Sequence, residues 1–119
     1  MTLAKYDIEP VSAPRMVQSD RWKKRPVVLR YFAYKDEVRL KRVQLYESGS
    51  HITFVLPMPK SWSKKKKASM LGMPHQQKPA WDNLAKGLFD AVYDEDSQVH
   101  DVRVSKIWGE TGAIWIEKE

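Results

Sequence analysis

Lys78-Pro79-Ala80-Trp81-Asp82-Asn83-Leu84-Ala85-Lys86-Gly87-Leu88-Phe89-Asp90-Ala91-Val92, running on into Tyr93-Asp94-Glu95-Asp96-Ser97-Gln98-Val99, is the stretch that decides the fold. Trp81, Leu84, Ala85, Leu88, Ala91 and Val92 recur at helical spacing, which predicts a helix over 81–93 with that stripe, Trp81 included, against a core. Asp82, Lys86, Phe89, Asp90 and Tyr93 fall on another face. Asp94-Glu95-Asp96-Ser97 makes an acidic turn, and from Val99 to Trp108 the chain alternates as a strand does, with Val102, Val104 and Trp108 on one face. Gly109 to Gly112 turns the chain into a last strand, Ala113 to Glu117, and the short connection predicts a hairpin.

Upstream, Leu3 to Ile8 reads as an edge strand ended by Pro10. Asp20 to Pro26 reads as a basic loop, and Pro26 suits the first turn of a helix running to about Arg42, with Val28, Tyr31, Phe32, Lys35, Val38 and Arg39 near helical spacing. Glu47-Ser48-Gly49-Ser50 is predicted as a turn. His51 to Leu56 has the β-branched and aromatic content of a buried strand, stopped by Pro57 and Pro59. Ser61 or Ser63 caps a short lysine-rich helix that ends at Gly72, and Met73 to Pro79 is extended. The expected class is α+β, with a mixed sheet, two main helices and a basic loop at about 58–79, in a single domain spanning 1–119.

The chain has 119 residues, no cysteine and a formal net charge of +6. A chain of this size buries about two thirds of the surface its unfolded form exposes, so it needs no disulfide or metal staple. The lack of cysteine excludes disulfide frameworks, cysteine-type zinc sites, iron–sulfur ligation and thiol nucleophiles. At 42% hydrophobic, with five Trp and five Tyr, it is too apolar for a disordered chain. No run approaches the roughly 18 apolar residues of a membrane span, and the start lacks the apolar segment of a secretory signal. A soluble, cytoplasmic protein is the expectation.

Charge is unevenly placed. Between Arg15 and Arg42, ten basic residues face Asp20, Asp36 and Glu37, and the block Lys60, Lys64, Lys65, Lys66, Lys67 and Lys78 contains no acid. From Asp82 to Asp101 the balance turns acidic. Basic arms leading into an acidic cluster suit an enzyme that uses a metal on a polyanion; a basic helix surface beside a solvated loop is the alternative.

Metal-assisted phosphodiester hydrolysis needs several carboxylates on one or two hard cations. Asp82 and Asp94 to Asp96 lie at opposite ends of the predicted helix, and they meet if the turn folds back and the strand from Val99 runs beside it. Asp82 as a residue favoured by the helix dipole, and Asp94 to Asp96 as a solvated turn, are the plainer readings. Lys86, four residues after Asp82, is either an ion-pair partner or a cation facing charge that develops on a phosphoryl group. His51, His75 and His100 show no ligand spacing. Trp22, Trp62 and Trp81 lie among basic residues and suit stacking on unpaired bases, with core packing the stronger reading for Trp81.

The run Lys78 to Val92, then Asp94-Glu95-Asp96-Ser97-Gln98-Val99 and Arg103-Val104-Ser105-Lys106, resembles the RusA family of Holliday-junction resolvases, whose signature is K-P-D-x-D-N-L-x-K-x-x-x-D-A followed by an acidic turn D-D-x-Q-V and R-V-x-K. Ser12-Ala13-Pro14-Arg15 and Leu56-Pro57-Met58-Pro59-Lys60-Ser61-Trp62-Ser63-Lys64-Lys65-Lys66 are similar to phage-borne members. The resemblance implies a homodimeric crossover junction endodeoxyribonuclease of recombination and repair, bacterial or prophage-encoded. It implies paired nicking with Mg²⁺ or Mn²⁺ held by three aspartates. Carried over by position, Asp82 and Asp96 match metal ligands and Lys86 matches the motif's lysine. Arg15, Lys60, Lys64, Lys65, Lys66, Lys67 and Lys78 are the expected DNA contacts.

One departure stands out. The first aspartate of D-x-D falls at Ala80, which has no oxygen to offer. The intact surroundings fit a deliberate Asp→Ala change better than decay, with natural loss as the alternative. Either way the expectation is a chain that binds junctions better than it cuts them. The rival readings are a noncatalytic nucleic-acid-binding protein and, more weakly, a protein-interaction domain with incidental charge.

Overall fold

In the computed structural model, residues 2–14, 25–46, 48–93 and 96–118 are described. The elements in chain order are β1 (Thr2–Tyr6), α1 (Pro26–Leu40), β2 (Ser48–Pro57), α2 (Lys64–Met70), α3 (Trp81–Val92), a 3-10 turn (Asp96–Gln98), β3 (Asp101–Gly109) and β4 (Ala113–Lys118). The fold is α+β, as expected, with one mixed sheet in the order β1-β4-β2-β3. The expected basic loop at Asp20 to Pro26 lies mostly outside the described residues, as do Glu47, Asp94 and Glu95.

β2 takes a central place because its residues Ile52, Phe54, Val55 and Leu56 are all buried and need partners on both sides. It pairs parallel with β3, from Ser48 opposite Asp101 to Pro57 opposite Gly109, and antiparallel with β4. The strand starts at Ser48, so the turn predicted over 47–50 is instead strand at Ser48 to Ser50. The hairpin predicted for the last two strands is also corrected. β3 and β4 are separated by β2, and the loop after Gly109 passes over the end of β2, where Met58 N–H donates to Gly109 O at 3.0 Å. A short connection forces strands to be near neighbours, but it does not stop a more apolar strand from lying between them.

α1 begins with Pro26 at its first turn and buries Val28, Tyr31, Tyr34 and Val38. α3 buries Leu84, Ala85, Gly87, Leu88 and Ala91. The two helices pack together over the sheet face carrying Ile52, Phe54, Leu56, Ile114 and Ile116, with Val102 and Val104 of β3 against the same core. Leu84 and Leu88 are fully buried, a contribution of about 1.5–3 kcal/mol for each side chain before entropy is set against it. Arg39 Nε fixes the pair by donating to Ala91 O at 2.9 Å.

Two connections position the region around the start of α3. The segment after β1 crosses α3 at Gly87, where an added Cβ would lie 2.9 Å from Val11 O, so the close approach needs glycine. Ala13 N–H donates to Asn83 O at 3.1 Å. After α2, Gly72 turns the chain at φ 77°, and residues 72–75 line the outer edge of β3. There Gly72 N–H donates to Trp108 O, Trp108 N–H to Met73 O, and His75 N–H to Lys106 O. Part of the segment predicted as extended is thus a short addition to the sheet. Its end is tied again by Lys106, whose Nζ donates to Gln77 O and Pro79 O at 2.7 Å each.

Candidate functional site

The start of α3 opens on a depression of about 660 Å³ whose lining includes Glu9, Ser12, Arg30, Lys78, Ala80 and Asn83. Ala80 is the N-cap residue, with φ −69° and ψ 149°. An N-cap side chain with an oxygen accepts from the free N–H groups of the first turn. The alanine methyl makes no such bond, and Ala80 contributes its carbonyl alone, accepting from Leu84 N–H at 3.2 Å. Glu9 and Arg30 face each other at 3.7 Å, both largely exposed, which makes this a weak, screened pair.

Asp82 lies in the first turn of α3 and is exposed. Asp96 opens the 3-10 turn beyond the far end of the helix. By the rise of an α-helix, about 15 Å of axis separates Asp82 from the last turn. β3 does run back beside α3, as the sequence suggested, since Lys106 reaches Pro79 O just before the helix start. Among the described residues, however, no three His, Asp or Glu side chains come together to hold a metal. The donor set of this chain, with a methyl at position 80, does not fit the three-aspartate metal site that the resemblance implies.

Spacing places Lys86 on one face with Asp82, but its ammonium sits on Asp90, one turn further along, at 3.0 Å. Asp90 also accepts from the Tyr31 hydroxyl at 3.1 Å. Burial and then the Asp90 carboxylate push the Tyr31 hydroxyl far above its ordinary pKa, so it stays a donor. Tyr31, Asp90 and Lys86 therefore form a short chain in which the carboxylate orients an ammonium that is still more than half exposed. Sequence spacing alone suggests no such role for Asp90, because its second partner comes from α1.

The basic loop is arranged by its own cap. Ser63 Oγ accepts from Lys66 N–H at 3.1 Å and opens α2, which settles the choice between Ser61 and Ser63. Lys60, Lys64, Lys65, Lys66 and Lys78 are exposed, and Lys67 is partly so. Lys66 Nζ stands 4.3 Å from the centre of the Trp62 ring, and Trp62 lies against Trp108 at 4.8 Å. Arg15 and Trp22, the expected DNA contact and stacking residue, lie outside the described residues. Trp81 is corrected: it is 57% exposed, because the stripe of α3 continues one turn beyond the layer it packs on. Lys106 figures in the sequence only as part of a motif, and its two bonds to the loop before α3 make it the residue that holds that loop in place. Burial lowers its pKa from the ordinary value without removing its role as a donor.

In an alignment 62 positions long the chain is 45% identical to the uncharacterized protein YqaN of Bacillus subtilis (strain 168); the match covers 45% of this chain and 44% of that protein, so the chain spans under half the length of the relative. A family model described as endodeoxyribonuclease RusA matches residues 8–118, almost the whole of what the sequence offers, and the chain belongs to the RusA endodeoxyribonuclease family.

Proposed function

We propose that this chain is a structure-specific DNA-binding protein built on the site of a Holliday-junction endodeoxyribonuclease, retaining recognition of four-way junctions while its strand cutting is impaired at Ala80. The observation that carries this reading is the placement of Ala80 as N-cap of α3, in a depression it shares with Lys78, Arg30 and Asn83, two residues before the exposed Asp82. Lys78 and Arg30 suit a phosphodiester backbone, whereas Ala80 has no side-chain oxygen to offer a metal. Lys78 and the α2 lysines offer ammonium groups to phosphates. Lys106 keeps the loop carrying Lys78 in place, and Lys86, held by Asp90, is a fixed cation able to face charge on a phosphoryl group.

In a member of the family with all three carboxylates, those side chains would hold a divalent cation such as Mg²⁺ or Mn²⁺, which would supply Lewis-acid activation of water at the phosphate. Of the three positions this chain keeps a carboxylate at Asp82 and Asp96 alone, so no step of that chemistry is assigned to it as written. Family membership supports nuclease chemistry in general; crossover specificity, paired nicking and a bacterial or prophage setting are part of the proposal. The noncatalytic reading, a junction-binding protein that has abandoned chemistry, is favoured by the same Ala80.

One comparison separates the two. Ala80→Asp and the parent chain are assayed on a labelled four-way junction, with Mg²⁺ and with EDTA. The expected result is Mg²⁺-dependent nicking by Ala80→Asp, little or none by the parent, and binding by both. Binding by a folded Ala80→Asp variant that never cuts overturns the endonuclease reading in favour of the binder.

A further inference from the structure

We infer that Trp81 is a base-stacking residue that reads an unstacked nucleobase at the branch of the DNA and so sets the preference for branched over continuous duplex. The inference rests on the junction-binding reading of the site and gives it a recognition element. Among the described residues the other tryptophans are engaged. Trp62 lies between Trp108 and the Lys66 ammonium, Trp108 also carries the His75 ring at 4.1 Å, and Lys5 Nζ stands 4.6 Å from the Trp115 ring. Trp81 alone of these has no ring or ammonium stacked on it among the described residues, and it is 57% exposed.

Its position is what gives that exposure meaning. Trp81 is the first residue of α3, between Ala80 in the depression and Asp82, and three residues from the exposed Lys78. An indole there contributes nothing to capping, and the helix dipole does not act on it. It does present an exposed aromatic side chain three residues along the chain from Lys78, whose exposed ammonium suits a phosphate backbone. Base faces inside a continuous duplex are already covered by their neighbours. When a branch point opens, pairs at the crossover lose a stacking neighbour and leave a face free, and an exposed aromatic ring binds such a face whatever the base. The lysines then supply affinity for any DNA, and Trp81 supplies the difference between branched and linear.

The test uses the intact chain with Trp81→Ala and Trp81→Phe, each titrated against a fluorescent four-way junction and a linear duplex of the same arms. Because Trp81 is exposed, both variants should fold, as circular dichroism will check. Trp81→Ala is expected to weaken junction binding by roughly five- to 150-fold, with duplex binding and the salt dependence of junction binding unchanged. Trp81→Phe should recover most of the loss. Junction binding by Trp81→Ala equal to the parent's overturns the inference and leaves the functional reading standing. An equal loss on junction and duplex also overturns it, by making Trp81 a general contact. A parent chain with no preference for the junction removes the functional reading and the inference with it.

Discussion

His75 is 6% exposed, packs tilted against Trp108 with ring centres 4.1 Å apart, and has no hydrogen-bond partner for its Nδ1 among the described residues. Burial first, and the nearby Lys106 ammonium second, hold its pKa below the ordinary 6.5, so the neutral ring is the folded form. A base depressed in this way contributes stability that is fully present above the unfolded pKa and is lost as pH falls through the folded one. Thermal unfolding of the parent should therefore shift downward between about pH 7 and about pH 5. His75→Phe keeps a ring on Trp108 and the main-chain bond to Lys106 O, and it removes the titration, so its melting temperature should fall less over the same range. Parallel curves for the two would show that His75 does not carry the pH dependence. None of this is legible in the sequence, where three scattered histidines form no pattern. Ala80 is legible as a gap in a motif, and only the fold shows that the gap is also an empty helix cap. Trp81 misleads because its spacing obeys the stripe of α3, while burial depends on where the neighbouring layer ends.

At the scale of elements, the lysines of α2 are the clearest case of sequence dictating both structure and surface. A serine cap starts the helix, four consecutive lysines occupy its first turn and beyond, and Gly72 ends the turn that follows. No acid stands in the run, and like charges packed so closely on seven residues oppose the helix unless anions come to them. Replacing Lys64, Lys65, Lys66 and Lys67 with Gln should weaken junction binding and flatten the slope of log K against log salt by about 0.9 for each phosphate that is no longer neutralised. A slope that stays the same in a salt titration would move the principal contact surface away from α2. Periodicity is enough to place α1, α2, α3 and β2 within a few residues, because each carries its own start or stop signal: Pro26, Ser63, the turn before Trp81, and Pro57 with Pro59. Pairing is not legible in the same way. β2 lies between β3 and β4 through a parallel register that depends on α3 crossing the sheet, and local alternation in β3 and β4 is the same whether they touch each other or a third strand. The Lys106 bonds to the loop before α3 are hidden for the same reason, since they join residues 27 and 29 positions apart.

For the whole molecule, the proposed function sets one small chain against a substrate with two-fold symmetry. A four-way junction presents two equivalent strands for cutting, and a closed pair of identical chains presents two equivalent sites to match it. One chain offers one depression at the start of α3 with one set of Asp82, Lys86 and Lys78, so under the proposed function a lone protomer would engage one strand at a time. Paired nicking therefore requires a homodimer, which is the assembly expected here. Sedimentation at micromolar concentration should show a dimer, and the melting temperature should rise with protein concentration, because association stabilises a folded dimer by mass action. The Ala80→Asp variant carries the argument into the product. On a supercoiled plasmid bearing an extruded cruciform, a dimer cuts both strands in one encounter and gives linear DNA early, whereas a monomer accumulates nicked circles first. A monomer in sedimentation, with and without junction, together with nicked circles as the main early product, would rule out the dimer and leave each chain to cut alone.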